Sequence, residues 1–483
     1  MIFNSFSFLV FFVVIFFLYY VPLKEKPKAQ NWLLFFASYF FYGYADWRMV
    51  LLLLAATGIF YFLGIAIQTN TKKKASRLTT LGVFLGVGLL LYFKYLNFFI
   101  ESFTQLFNAI GLNANSSTFN IILPLGISFF TFRLISYAIE VHRGKIEATR
   151  DFVSFATYIA FFPTILSGPI DRPNSFIPQL QAKRSFDYNL VVDGCRQILW
   201  GLFQKLVIAD NLAGLINGVW GDIPSHSGST LLFMAILYSF QMYTDFSGYS
   251  HMAIGIGKIL GFRITKNFNY PFFSRNVAEY WRNWHISLTS WLTDYIFMPL
   301  NVKFRNLGNL GITLAIIINM VVVGLWHGAN WTFVVFGFYH GLLFIPLIIT
   351  GSIFKKKKLK VNKFGLPSIN DFLRIVGTFL LVTLGLIIFR AESVSKAINY
   401  ISGILSYSLF TLPSFPNRTL AFTTLIFTLI FILMEWNNRQ SDHALEKFGF
   451  NFSRSLRFIF YYLIIFSIYF FGGQDQQFIY FQF

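Results

Sequence analysis

The chain has 483 residues, of which 55% are hydrophobic, 20% aromatic and only 12% charged. Soluble globular chains carry about a quarter charged residues, so this composition excludes a string of soluble domains and points to one integral-membrane domain over 1–483. The formal charge of +19 raises nucleic acid as a partner, but the lysines and arginines sit in short clusters between apolar runs, as the positive-inside rule produces, and nucleic acid is set aside.

The first apolar run, Phe6 to Val21, has no basic residue ahead of it, while Lys24, Lys26 and Lys28 follow. A cleavable signal has the opposite polarity, so this run reads as a retained first span with its amino terminus outside. A spanning helix needs about 20 mostly apolar residues. Runs of that kind fall near 5–23, 31–46, 48–68, 79–99, 119–141, 189–209, 229–246, 309–326, 331–350, 372–389, 419–435 and 457–471. The expected fold class is an all-α polytopic membrane protein with roughly 11–13 transmembrane helices plus re-entrant segments.

Basic clusters assign the sides. "KEKPK" (24–28), "TKKKASR" (71–77), "HRGK" (142–145), "QAKR" (181–184) and "KKKKLK" (355–360) mark the cytoplasm, as do Lys258, Arg263, Lys266, Arg275 and Arg282. Loops at 101–118 and 210–228 hold no lysine or arginine and alternate with the basic ones. The alternation requires 152–170 and 285–300 to dip in and return, which is allowed where protein or water surrounds the backbone. Prolines and glycines in "FPTILSGPIDRP" and "FMPL" supply the breaks. On this topology His285 stands on the cytoplasmic half and His327 on the extracytoplasmic half, at different depths along one path.

Cys195 is the only cysteine, so no intrachain disulfide or cysteine-based metal site exists; it reads as a small packing residue. H-E-x-x-H, G-x-x-x-x-G-K-[ST] and G-x-S-x-G are all missing. The seven histidines form no i, i+4 pair, and no metal is expected. What remains is a set of polar residues embedded in apolar sequence. Asp245 lies in "QMYTDFSGYSHMAIG". Arg282, His285 and Asp294 share "YWRNWHISLTSWLTDYIFMPL" with Trp284 and Trp291. On one helix Trp284, Leu288, Trp291 and Tyr295 would make a single packing stripe. His327 and His340 lie in "GLWHGANWTFVVFGFYHGL".

An ionisable residue within the membrane is a functional candidate by default. Each also has a plainer reading. Asp245 pairs with a buried arginine or caps a helix, His285 bridges hydrogen bonds, and His340 is a polar strut between helices. His327 differs, because it ends a span beside Gly328, whose small size leaves room for a substrate. Neutral imidazole in a desolvated site is a suitable general base near pH 7.

Four stretches now carry a resemblance: "LPLGISFFTF" (123–132), "FPTILSGPIDR" (162–172), "QMYTDFSGYSHMAIGIGKILGFRITKNFNYPF" (241–272), and the WHIS…D and LWHG pair that follows. They resemble the membrane-bound O-acyltransferase family, and within it the bacterial alginate O-acetyltransferase-like branch. The resemblance covers a core of about 100–350; in the C-terminal helices, 372–471, only the hydropathy agrees. It implies a helical ring around a central tunnel that an acyl donor enters from the cytoplasm, with no bound cofactor. It implies catalytic roles for His327, in LWHG beside Trp326, and for His285. Asp245 and Asp294 match acidic positions of the motifs, and Arg282, Trp284, Asn330 and Trp331 fall to the tunnel or substrate. Where relatives usually have aspartate, this chain has His251.

The expected reaction is transfer of an acetyl group from cytoplasmic acetyl-CoA to a hydroxyl of an extracytoplasmic polysaccharide. His327 acts as base, His285 orients the thioester, and Asn330 and Trp331 donate to the oxyanion. A secreted or membrane-anchored hydrolase-like acetyltransferase partner is expected to complete the transfer, and the membrane itself is the cell inner membrane. The rivals are D-alanyl or other acyl transfer, a polysaccharide-precursor transporter, and a purely structural subunit. The transporter predicts two pseudo-symmetric halves with broken helices at matching positions, and none is visible.

Overall fold

The computed structural model describes residues 1–115, 118–355, 359–415, 417–474 and 476–479. Three lysines of "KKKKLK" lie outside them. Every regular element among the described residues is helical, apart from one isolated bridge between Val361 and Pro367. Among the described residues, eight helices are long and apolar enough to cross a membrane: Arg48–Thr69, Lys72–Ala109, Tyr188–Gly221, Arg305–His327, Trp331–Ile349, Ile369–Arg390, Arg418–Asn437 and Arg454–Phe471. The chain is a multi-pass membrane protein.

The four remaining runs depart from expectation for local reasons. Phe6–Tyr20 and Pro27–Gly43 are helices of 15 and 17 residues. The run at 119–141 starts late, at Ile127, because Pro124 and Gly126 break it, and only 16 residues are helical. The run at 229–246 belongs to a 32-residue helix, Gly228–Ile259, that carries the polar sequence around Asp245 onward without a break. Two expected loops are also helical in part. The span at 79–99 extends from Lys72 to Ala109 through a π-helical turn at Leu91–Tyr95. Its 38 residues amount to about 57 Å of helix, nearly twice the ~30 Å hydrocarbon core. Likewise Asp210–Gly221 continues the span before it.

The chain divides into two compact units. In the first, residues 1–195 and 253–265, the predicted dip at 152–170 is a nine-residue helix, Phe152–Ala160, followed by irregular chain that is buried throughout from Phe161 to Ile170. Buried carbonyls outside regular structure must find donors. Arg133, on the helix Ile127–His142 and only 1% exposed, supplies them. Its guanidinium donates to the carbonyls of Tyr158, Ile159, Thr164 and Pro169, at 3.1–3.3 Å, and to Thr164 Oγ1 at 2.6 Å. Gly126 (φ 70°) lets this helix start against the same loop, since a Cβ there would stand 2.3 Å from the Ile165 carbonyl oxygen. Arg133→Met, which keeps the bulk and removes the donors, is expected to lower the melting temperature and the folded yield sharply, at ~1–3 kcal/mol for each orphaned carbonyl. A variant melting with the wild type would show that the loop is held otherwise.

In the second unit, residues 196–252 and 266–483, the helices Gly308–His327 and Trp331–Leu343 form a tight pair. Small residues let backbones meet. A Cβ at Gly324 would lie 2.0 Å from the Phe333 carbonyl oxygen, and one at Gly337 would lie 2.2 Å from that of Met320. The turn between them, residues 328–330, leaves His327 as the last residue of its helix.

Candidate active site

The stretch 280–300 is not one helix. Val277–Asn283 ends at Trp284, and Ile286–Leu292 begins after His285, which adopts a left-handed backbone with φ 44° and ψ 53°. A bulky residue there is strained and persists only where its surroundings hold it. The break separates Trp284 from Leu288, Trp291 and Tyr295, so the expected single stripe is two. Trp284 stacks on Tyr280, with ring centroids 5.4 Å apart, while Trp291 meets Tyr295 at 4.7 Å.

The kink turns the His285 imidazole toward His327. Their ring centroids are 6.4 Å apart, and both side chains are buried. The two histidines therefore share one site; they do not stand at separate depths. Trp326 lies against both, at 5.2 Å from His285 and 5.1 Å from His327. Phe246 meets His285 edge-on at 4.6 Å, and Phe389 meets His327 at 5.0 Å. The imidazoles thus sit in an aromatic box, where the effective dielectric is low and a directed dipole counts for more than in water.

The room expected beside Gly328 is taken. A Cβ there would lie 2.1 Å from the Phe333 ring, so this glycine admits an aromatic side chain of the fold. His340 is buried between two helices. The indole of Trp281 donates to its Nδ1 at 3.2 Å, and Phe336 packs on its ring at 4.7 Å.

Other candidates stand elsewhere. Asp245 finds its partners outside the histidine pair, although its neighbour Phe246 touches His285. Its carboxylate pairs with Lys205 at 2.8 Å and accepts the Ile479 backbone N–H at 2.8 Å. Lys205 also reaches Asp210, at 2.7 Å, and the Gln476 carbonyl, at 3.0 Å. Asp245 is thus held by a lysine, where an arginine or a helix cap was the plainer expectation. Asn330 caps its helix by accepting the Thr332 N–H, and its amide donates to the Glu392 carbonyl. Trp331 is 52% exposed, and Asp294 is also exposed on a π-helical turn. Neither the Asn330 amide nor the exposed Trp331 is placed as an oxyanion donor. Arg282 donates to the Ile353 carbonyl, 3.1 Å away. His251 sits beside Gln197, at 3.1 Å, and the ring of His443.

Sequence reasoning passed over Lys205, Arg133 and Glu435. Glu435 is buried and accepts the Tyr243 hydroxyl at 2.9 Å. All three lie in or at the edge of predicted spans, and the rule that singled out Asp245 applies equally to them.

A family model described as the membrane-bound O-acyltransferase family matches residues 33–389. The chain is 38% identical over 421 residues to a probable alginate O-acetylase AlgI of Azotobacter vinelandii, covering 85% of this chain and 79% of that protein. It is 30% identical to a peptidoglycan O-acetyltransferase of Helicobacter pylori, with 84% and 80% covered. A teichoic acid D-alanyltransferase of Streptococcus thermophilus is 34% identical, but over 52% of this chain and 61% of its own length. A buried histidine pair in an aromatic box, on a multi-pass chain that this model matches over most of its length, makes the protein a membrane O-acyltransferase belonging to the membrane-bound O-acyltransferase family.

Proposed function

We propose that the protein moves an acetyl group from acetyl-CoA on the cytoplasmic side to a hydroxyl of an extracytoplasmic polysaccharide or of a partner acetyltransferase, in a bacterial inner membrane. The observation that carries this reading is the enclosed His285–His327 pair. The names of relatives matched along most of the chain support acetyl as the acyl group and a polysaccharide as the acceptor.

The chemistry follows from the pair. His327 takes the proton of the acceptor hydroxyl as its oxygen attacks the thioester carbonyl carbon. The His285 ring, across 6.4 Å, donates to the oxygen that becomes negative. The carbon–sulfur bond then breaks, and the leaving thiolate recovers the proton from His327. A general base contributes about 10²–10⁴-fold, and positioning and oxyanion stabilisation supply the rest. Purified protein in nanodiscs, given radiolabelled acetyl-CoA and a polysaccharide acceptor with and without the partner, tests this. Label on the polymer is the expected result. Turnover of D-alanyl carrier with acetyl-CoA ignored would replace it by D-alanyl transfer.

The sidedness is checked separately. Cys195 is exposed, not packed, so it must first be changed to alanine. Single cysteines at Lys74 are then expected to label from the cytoplasm, and at Ala114 and Ser225 from outside. Labelling of positions 74 and 114 from the same side would overturn the topology. Position 357, a natural fourth choice, lies outside the described residues.

A further inference from the structure

The helix Ile286–Leu292 begins without a cap of its own. Its cap position is His285, whose side chain makes no capping hydrogen bond. The first N–H groups of a helix have no partner within it, and a Ser, Thr, Asp or Asn at the cap ordinarily supplies one. Here a left-handed histidine takes that place, and its ring meets Trp326 and His327 instead. Ser287, at the start of the helix, is buried, so orphaned donors there would be costly.

Asn267 supplies the cap from a distance. It lies in the irregular stretch that follows the helix Gly228–Ile259 and is fully buried. Its backbone carbonyl accepts the Ile286 N–H at 2.8 Å. Its side-chain Oδ1 accepts the Ser287 hydroxyl at 2.9 Å and, at a longer 3.4 Å, the Ser287 N–H. Its Nδ2 donates to Ser250 Oγ at 3.2 Å. That bond ties the clamp to the same helix that presents Phe246 to His285. Asn269 holds the other side of the kink. Its N–H donates to the Asn283 carbonyl at 2.9 Å, and its amide to Asn283 Oδ1 at 3.3 Å. The backbone on both sides of His285 is thus pinned to one short segment, 267–269. A strained conformation persists only where its surroundings over-determine it, and these bonds do so.

We infer that Asn267 is a positioning residue for the transfer reaction: it caps the helix Ile286–Leu292 in place of His285 and so holds the His285 imidazole against His327. Its effect on turnover rests on the reading of His285 as the oxyanion donor, because Asn267 acts through that ring.

A cycle of variants in nanodiscs decides it. Asn267→Ala is expected to lower kcat, per folded protein, at least about tenfold, with KM for acetyl-CoA kept within about twofold. A loss of packing alone would lower the folded yield and leave kcat intact. In a His285→Gln background the same change should cost less than about twofold more, because the group it acts through is already gone. Amide exchange at Ile286 and Ser287, which needs no turnover, is expected to be at least about tenfold faster in Asn267→Ala. If that variant does not fold, Ser287→Ala removes only the 2.9 Å contact and should shift kcat and exchange less, in the same directions. Unchanged exchange would overturn the proposal, as would losses that add fully to those of His285→Gln. So would a folded Asn267→Ala with wild-type kcat while His285→Gln is impaired. If His285→Gln transfers at the wild-type rate and exchange is still accelerated, the oxyanion reading fails and the clamp stands.

Discussion

His327→Gln is expected to lose about 10²-fold or more in acyl transfer while inserting and folding as the wild type does. Glutamine retains a hydrogen-bonding group of similar reach but does not accept a proton at neutral pH. Packing around position 327 comes from Trp326 and Phe389 and survives the change. His327→Ala should lose as much activity. His340 supplies the contrast. It receives the Trp281 indole N–H, so His340→Gln should keep much of the activity, and His340→Ala should reduce folded protein first. Near wild-type transfer by His327→Gln would remove the base from the mechanism. His285→Gln is read in the same assay, and a loss confined to turnover, with donor affinity kept, would mark it as the oxyanion donor.

The second large effect is structural. Lys205 bridges Asp210 and Asp245 with its side chain 8% exposed, so Lys205→Met leaves two buried carboxylates facing each other. Breaking a buried ionic group on one side costs about 3–5 kcal/mol. The variant is therefore expected to melt far below the wild type and to lose the contacts at Gln476 and Ile479. Adding Asp210→Asn and Asp245→Asn to Lys205→Met removes both stranded charges. The triple variant should recover most of the lost stability. If the single and triple variants melt alike, charge is not what makes Lys205 necessary.

The sequence was most legible where chemistry and hydropathy coincide. Apolar length located eight spans, and embedded polar residues pointed to His285 and His327. It was least legible where one residue changes the path of the backbone. Nothing in "YWRNWHISL" announces a left-handed histidine, and a continuous helix there would hold His285 away from His327. Gly328 misled for a related reason. A small residue makes room, but only the fold says for what, and here the occupant is Phe333. Asp245 and its partner Lys205 lie 40 residues apart on helices whose pairing no local pattern encodes. Loops at 101–118 and 210–228 are read from the lack of lysine and arginine, which reports sidedness and says nothing of helicity.

The backbone contact at Gly324 and Gly337 has a kinetic meaning. With carbonyls of each helix against the α-carbons of the other, the two move as one piece, and the imidazole at the end of the first is fixed in place before any substrate arrives. Under the mechanism proposed above, such a base would spend no reorganisation energy at the moment of proton transfer, because the ordering was completed during folding. Adjustment would then come from the proposed reactants, the acyl donor and the acceptor hydroxyl. On that mechanism the enzyme is a stationary anvil, and turnover would be governed by how often the two reactants meet on it in register.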